Sequence, residues 1–206
     1  MDFKQTVKAG YNAIAKRYLE ERRRDSEDVR LLDDLISKLP LHAKVLDGGC
    51  GAGVPITQIL SERFNVTGVD FSEAQIDLAR RNVPQAEFLC QNMTQLDFPD
   101  NTFDAVCSYY AIIHIPREEH QSLIENFYRM LKPNGYALLC LGAEDLIDDI
   151  DDDFFGTRMY WSHFDSQTYL VMLKGAGFST IWSKRIADAT CEGPGHLFVL
   201  VQKSSV

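Results

Sequence analysis

The chemistry-bearing residues near the front of the chain cluster around one glycine-rich segment, Val45-Leu46-Asp47-Gly48-Gly49-Cys50-Gly51-Ala52-Gly53. Glycines at the end of a short apolar run let the backbone turn sharply and let a ligand approach the main chain without Cβ clashes. A helix that follows presents free N–H groups at its start. Many nucleotide-binding folds carry such a loop, and three details narrow the ligand. The pattern Gly49-x-Gly51-x-Gly53 is followed by Val54, where a dinucleotide fingerprint has its third glycine. Asp47 stands just before the turn, and no Lys or Arg lies between Val45 and Arg63, a setting that repels a pyrophosphate and suits an ammonium group. Asp70 ends the next apolar run, where an acid accepts hydrogen bonds from ribose hydroxyls. A ribose and an amino acid without phosphates describe S-adenosylmethionine.

Groups able to move a proton or wall a second ligand come later. His114, closing Tyr109-Tyr110-Ala111-Ile112-Ile113-His114, is the candidate general base, because an imidazole suits proton removal near neutrality. The competing role is a histidine that only shapes the pocket. Tyr110, Trp161, His163 and His196 are candidate walls for an acceptor, against the plainer roles of aromatic core and strand end. Aromatic walls hold cationic or apolar groups alike, so they select no substrate. The acidic stretch from Glu144 to Asp153 lacks the glycine and distal glutamate of a calcium loop. It is expected to be a mobile, solvated loop, and no metal site is predicted.

Strands and helices must position these groups. Tyr11, Ile14, Ala15, Tyr18 and Leu19 share one face of an opening helix. Leu31, Leu32, Leu35, Ile36 and Leu39 mark a second, which Pro40 ends. Strands are predicted at 43–47, 66–70, 86–90, 103–108, 136–141, 181–186 and 196–202. Helices are predicted at about 52–64, from Ser72 to about Asn82 with a Ser72/Gln75 capping box, at about 118–131, and from Asp165 or Ser166 to Gly175. Strand-helix alternation predicts an α/β fold with a doubly wound parallel sheet and helices on both faces; with the resemblance described below, the expectation is a Rossmann-like seven-stranded sheet with only the last strand antiparallel.

The 206 residues suffice for one such domain, and no linker or repeat divides them. A net charge of -9 disfavours nucleic acid or an anionic membrane as partner. Arg22, Arg23 and Arg24, flanked by Glu20, Glu21 and Asp25, read as a solvated helix face. Of Cys50, Cys90, Cys107, Cys140 and Cys191, the second to fourth lie in apolar runs and are expected to be buried thiols. Their odd number, the absence of a C-x-x-C pair and the lack of an apolar leader or span lead to a cytoplasmic expectation, as a monomer or homodimer.

The segments 45–53, Val69-Asp70-Phe71-Ser72, Asn92-Met93, Phe98 to Val106 and Leu131-Lys132-Pro133-Asn134-Gly135 carry a resemblance over nearly the whole chain. The chain resembles a class I S-adenosylmethionine-dependent methyltransferase of the small-molecule type. That resemblance implies that Gly49 and Gly51 pass under the methionine part and that Asp47 helps hold its ammonium. It implies that Asp70 takes the ribose hydroxyls, Phe71 packs on the adenine, Asn92 and Met93 meet its edge, and Ser108 closes the methionine end. It further implies that residues 1–40, with Tyr11 and Tyr18, form a lid, and that 142–164 form an acceptor cap, with the acceptor between them. Two departures stand out. Gly48 replaces a bulky aliphatic residue, which would loosen packing under the loop, and Asn92 replaces a frequent aspartate. The expected activity is methyl transfer to O, N or C of a small molecule; the alternative is a non-catalytic module that binds S-adenosylmethionine and regulates a partner.

Overall fold

The computed structural model describes residues 2–187 and 195–204. Opening helix α1 spans Phe3–Glu21, and two short helices follow, α2 at Glu27–Arg30 and α3 at Leu32–Ile36. The second amphipathic stripe is therefore broken at Leu31, although Leu31, Leu32 and Leu35 are all buried as the pattern required. Then come β1 (Lys44–Gly48), α4 (Ile56–Leu60), β2 (Asn65–Asp70), α5 (Glu73–Asn82), β3 (Glu87–Cys90) and β4 (Phe103–Ser108). The helix expected over about 52–64 is thus confined to five residues, because the glycine loop runs on through Gly53 and Pro55 caps the helix start. The chain continues with α6 (His120–Met130), β5 (Leu131–Gly142), β6 (Leu146–Phe154), β7 (Thr157–His163), α7 (Ser166–Gly175), β8 (Phe178–Ile186) and β9 (His196–Lys203).

Seven strands form one sheet in the order β3-β2-β1-β4-β5-β9-β8. β9 runs antiparallel to both neighbours and the other six strands share a direction, as predicted. Adjacent residues of each central strand enter opposite cores: Leu46, Val106 and Leu139 pack with Leu123 and Phe127 of α6, while Val45, Ala105 and Leu138 pack with Leu35 of α3 and Leu60 of α4. The strand order reverses beside β1, between β2 and β4, which places the ligand crevice at the carboxyl ends of these strands.

The acidic stretch corrects the expectation of a mobile loop. It is β6, paired antiparallel with β7 in a separate two-stranded sheet. Phe155 (φ 53) and Gly156 (φ 83) both take left-handed backbone, as a two-residue hairpin turn requires. Aspartates are poor strand formers; here Leu146, Ile150 and Phe154 turn one face inward while the partner strand supplies Met159, Tyr160 and Trp161. Asp148 accepts hydrogen bonds from Tyr160 Oη (2.6 Å) and Ser162 Oγ (3.3 Å).

Helix α1 lies against this hairpin and against the start of α5. Phe3 stacks on Tyr160 at 4.2 Å, and Gly10 permits close approach: a Cβ there would sit 2.9 Å from Met159 Cε. At α5, Asn12 Oδ1 accepts from Ser72 Oγ (2.6 Å) and from the Ala74 N–H (3.1 Å), while its amide donates to Glu73 (3.1 Å). A residue of α1 thus caps the neighbouring helix from outside. Asn12→Ala should cost about 1–2 kcal/mol and act locally: hydrogen exchange should quicken in α1 and the first turn of α5 while β1, β4 and β5 stay protected.

Candidate functional site

A cleft of about 680 Å³, counting the space open to solvent at its mouth, lies over the carboxyl ends of β1, β2 and β4 and is roofed by α1. Its floor is the glycine loop. Gly49, Gly51 and Gly53 all have positive φ, at 78°, 53° and 77°, and a Cβ on Gly49 would stand 2.1 Å from Ala111 Cβ, so no side chain fits there. The loop departs from expectation in its donors. Gly49 and Cys50 both donate to the Val69 carbonyl (2.7 and 3.0 Å), and Gly51 donates to Asp70 Oδ2 (3.0 Å). These N–H groups tie β1 to β2 and are not left for a ligand. Gly48 leaves no void, because Phe127 and Met93 lie at ordinary contact distance from the place of its missing Cβ.

Two acids face this floor. Asp70 also receives the Ser72 N–H on Oδ1 (2.9 Å), so each carboxylate oxygen carries one backbone bond and keeps capacity for a hydroxyl donor. Desolvation raises its pKa to about 6 against the pull of those N–H groups. Asp47 is fully buried, accepts from Thr57 Oγ1 at 2.5 Å, and is raised to about 7, chiefly by burial and further by Asp70. Buried acids held this high are short of a cation.

Above the floor, His114 closes a 3-10 turn at Ile112–His114. Its Nδ1 lies 2.7 Å from the Tyr160 carbonyl, which can only accept, so Nδ1 carries the proton; Nε2 then receives the Tyr11 O–H at 2.9 Å. Burial lowers the imidazole to about 4, so it is neutral near pH 7, and burial raises the Tyr11 phenol. Tyr110 is held in the left-handed region (φ 52), a costly conformation for a bulky residue, at the cleft end of β4.

Of the residues singled out in the sequence, Tyr11, Tyr18, Asp47, Gly49, Gly51, Asp70, Phe71, Asn92, Met93, Tyr110 and His114 line the cleft or its narrower arm. Ser108 does not; it is fully buried and donates to the Gly48 carbonyl at 2.7 Å. Trp161, His163 and His196 lie outside the lining. Trp161 packs behind His114, His163 donates from Nδ1 to the Glu144 carbonyl (2.7 Å), and His196 faces the Tyr110 ring. The acceptor space expected between α1 and residues 145–164 is filled by Val7, Ile14, Met159 and Tyr160.

Sequence reasoning missed two residues. Gln75 was assigned to a capping box, and Ser72 Oγ does accept its backbone N–H at 3.2 Å. The return bond fails because Asp70 takes the Ser72 N–H. The Gln75 amide is left buried, both its oxygen and nitrogen unpartnered, at the edge of the cleft. The competing acid two residues before the cap was the available signal. Arg22 was read as solvated, yet its side chain is only 15% exposed, with the guanidinium 4.9 Å from the Tyr110 ring centre. Cys90, expected to be buried, is exposed at the end of β3, whereas Cys107 and Cys140 are buried; Cys191 lies outside the described residues.

A glycine loop and two acids short of a cation thus meet at the switch point of a Rossmann-like sheet. Residues 45–135 match the methyltransferase domain family. It is 39% identical over 109 residues to 24-methylenesterol C-methyltransferase 2 of Arabidopsis thaliana, covering 50% of this chain and 29% of that one. It is 34% identical over 154 residues to phosphoethanolamine N-methyltransferase 3 of Arabidopsis thaliana, covering 70% and 30%. The chain therefore spans under a third of these relatives' length. The fold is that of the 1,6-didemethyltoxoflavin-N1-methyltransferase of Burkholderia thailandensis, solved with S-adenosylhomocysteine (TM-score 0.74, 18% identity, 99% of this chain and 90% of that one). The residues fit S-adenosylmethionine: spare acceptors on Asp70, an orphaned amide at Gln75, and open space over the backbone of Gly51, where a Cβ would meet only Gln75 Oε1 at 3.8 Å.

A folded-state pKa of about 7 for Asp47, against an ordinary value of 3.8, means that its ionisation disfavours the ligand-free fold. That penalty is absent below about pH 4, grows as pH rises, and is complete above about pH 7. Asp47→Asn keeps the Thr57 bond, so it should raise the Tm of the ligand-free protein at pH 8, by about 2–4 °C per kcal/mol relieved. The gain should vanish toward pH 4, and cofactor affinity should fall. A variant no more stable than the parent at pH 8 would contradict the assigned burial cost.

Proposed function

We propose that the chain transfers a methyl group from S-adenosylmethionine to an O, N or C atom of a small-molecule acceptor, with His114 as the proton-accepting group. The Tyr11–His114–Tyr160 hydrogen-bond chain carries this reading, because it fixes which imidazole nitrogen is basic and turns it toward the cleft. The bound cofactor supplies a sulfonium-activated methyl carbon. Asp70 accepts the ribose hydroxyls, Asp47 pairs with the ammonium, and Phe71, Asn92 and Met93 bound the adenine. Asn92 Oδ1 already accepts from the Thr94 N–H (3.0 Å), which fixes its amide at the cleft edge. His114 Nε2 takes the acceptor's proton either after Tyr11 withdraws or through the Tyr11 hydroxyl. Tyr110 walls the reacting end, and α1 excludes water.

The relatives' names make phosphoethanolamine and a sterol the first acceptors to test. The net charge of -9 argues against a nucleic acid acceptor, and the free thiols Cys50, Cys90, Cys107 and Cys140 agree with a cytoplasmic setting. Among the described residues no helix is long and apolar enough to cross a membrane. One observation favours the second reading, a non-catalytic module: side chains fill the space between α1 and β7. Turnover with any acceptor eliminates that reading.

An acceptor screen that detects S-adenosylhomocysteine tests the proposal, together with calorimetry of S-adenosylmethionine. His114→Ala should lose about 10²–10⁴-fold in kcat while cofactor affinity is kept; an undiminished kcat would remove His114 from the chemistry. Two pH effects should separate. Cofactor affinity should weaken as pH falls through about 7 to 6, where Asp47 and Asp70 take up protons. At saturating cofactor, kcat should hold until pH approaches about 4, where His114 protonates.

A further inference from the structure

The cleft has a narrower arm, lined among others by Tyr18, Arg22, Asp47, Gly49, Gly51 and Tyr110. Asp47 at its base suits an ammonium, but an α-amino acid brings a carboxylate next to that ammonium. Beside Asp47 a second carboxylate is repelled unless a donor receives it. The glycine loop offers little: Gly49, Cys50 and Gly51 direct their N–H groups to Val69 and Asp70. Arg22 is the one Lys or Arg among the described residues lining the arm. It stands at the end of α1, three-quarters or more shielded from water, with its guanidinium over Tyr110 and a long 3.8 Å pair to Asp28.

We propose that Arg22 receives the carboxylate of the cofactor's amino-acid end, so that Asp47 and Arg22 together read an α-amino-acid zwitterion. The inference rests on the S-adenosylmethionine reading above. A guanidinium matches a carboxylate in geometry and keeps its charge at any working pH, whereas the same residue would not reward a ligand that ends in an amine alone. Because Arg22 terminates the lid helix, gripping the carboxylate also fixes the end of α1 over the ligand.

The test measures binding of three ligands by calorimetry: S-adenosylmethionine, its decarboxylated form, and 5′-methylthioadenosine, which lacks the amino-acid end. The parent should prefer S-adenosylmethionine to the decarboxylated form by about ten- to a hundredfold. Arg22→Gln should erase that preference and leave 5′-methylthioadenosine affinity unchanged; Arg22→Lys should retain part of it. Hydrogen exchange at the end of α1 should slow with S-adenosylmethionine and not with 5′-methylthioadenosine. Equal losses for all three ligands in Arg22→Gln would assign the residue to lid structure and overturn the proposal. A parent that does not discriminate the decarboxylated form overturns it without any variant, which covers the case of a substitution that fails to fold. A parent that binds none of the three overturns the cofactor reading itself, a different failure.

Discussion

The bonds between the glycine loop and the end of β2 are the constraint on which the site depends. Gly49 and Cys50 converge on one carbonyl, that of Val69, and Gly51 reaches the Asp70 carboxylate. With these donors engaged, the loop holds a left-handed path that only glycine adopts cheaply, and Asp70 is locked with its remaining acceptor capacity facing the cleft. The cleft floor is therefore rigid and largely self-satisfied. Selectivity falls to side chains around it: the two acids, the Gln75 amide, and the groups delivered by α1.

Rigidity of the floor has an energetic counterpart. Asp47 and Asp70 are held above their ordinary pKa range because the folded chain removes water from them without supplying a full set of partners. A cationic ligand relieves that strain, and a neutral one does not. The same burial that weakens the empty fold favours a ligand carrying positive charge, a common trade between stability and function.

Helix α1 couples these features to the second half of the chain. Helix α1 is fastened to α5 through Asn12, to the hairpin through Gly10 and Phe3, and to the imidazole through Tyr11. Tyr160, in turn, stacks on Phe3, holds Asp148 through its hydroxyl and orients His114 through its carbonyl. One hairpin residue thus supports α1 and sets the tautomer of the proposed base. Any movement of α1 that admits an acceptor has to break the Tyr11–His114 bond.

Local pattern was enough for the sheet. Period-two apolar runs, the glycine loop, the Ser72 cap and the Asp165 cap are set by neighbours a few residues apart, and they marked the strands of the large sheet and the starts of α5 and α7. The acidic hairpin was not legible, because its aspartates carry little strand preference and gain it only from a partner strand. Arg22 looked solvated for the same reason: its charged neighbours in sequence are exposed, while the Tyr110 ring that covers it lies far along the chain. The roles of Gln75, Arg22 and Tyr160 were decided by tertiary contact alone, since whether a polar group is paired, shielded or aimed at a cleft depends on residues that only the folded chain brings together.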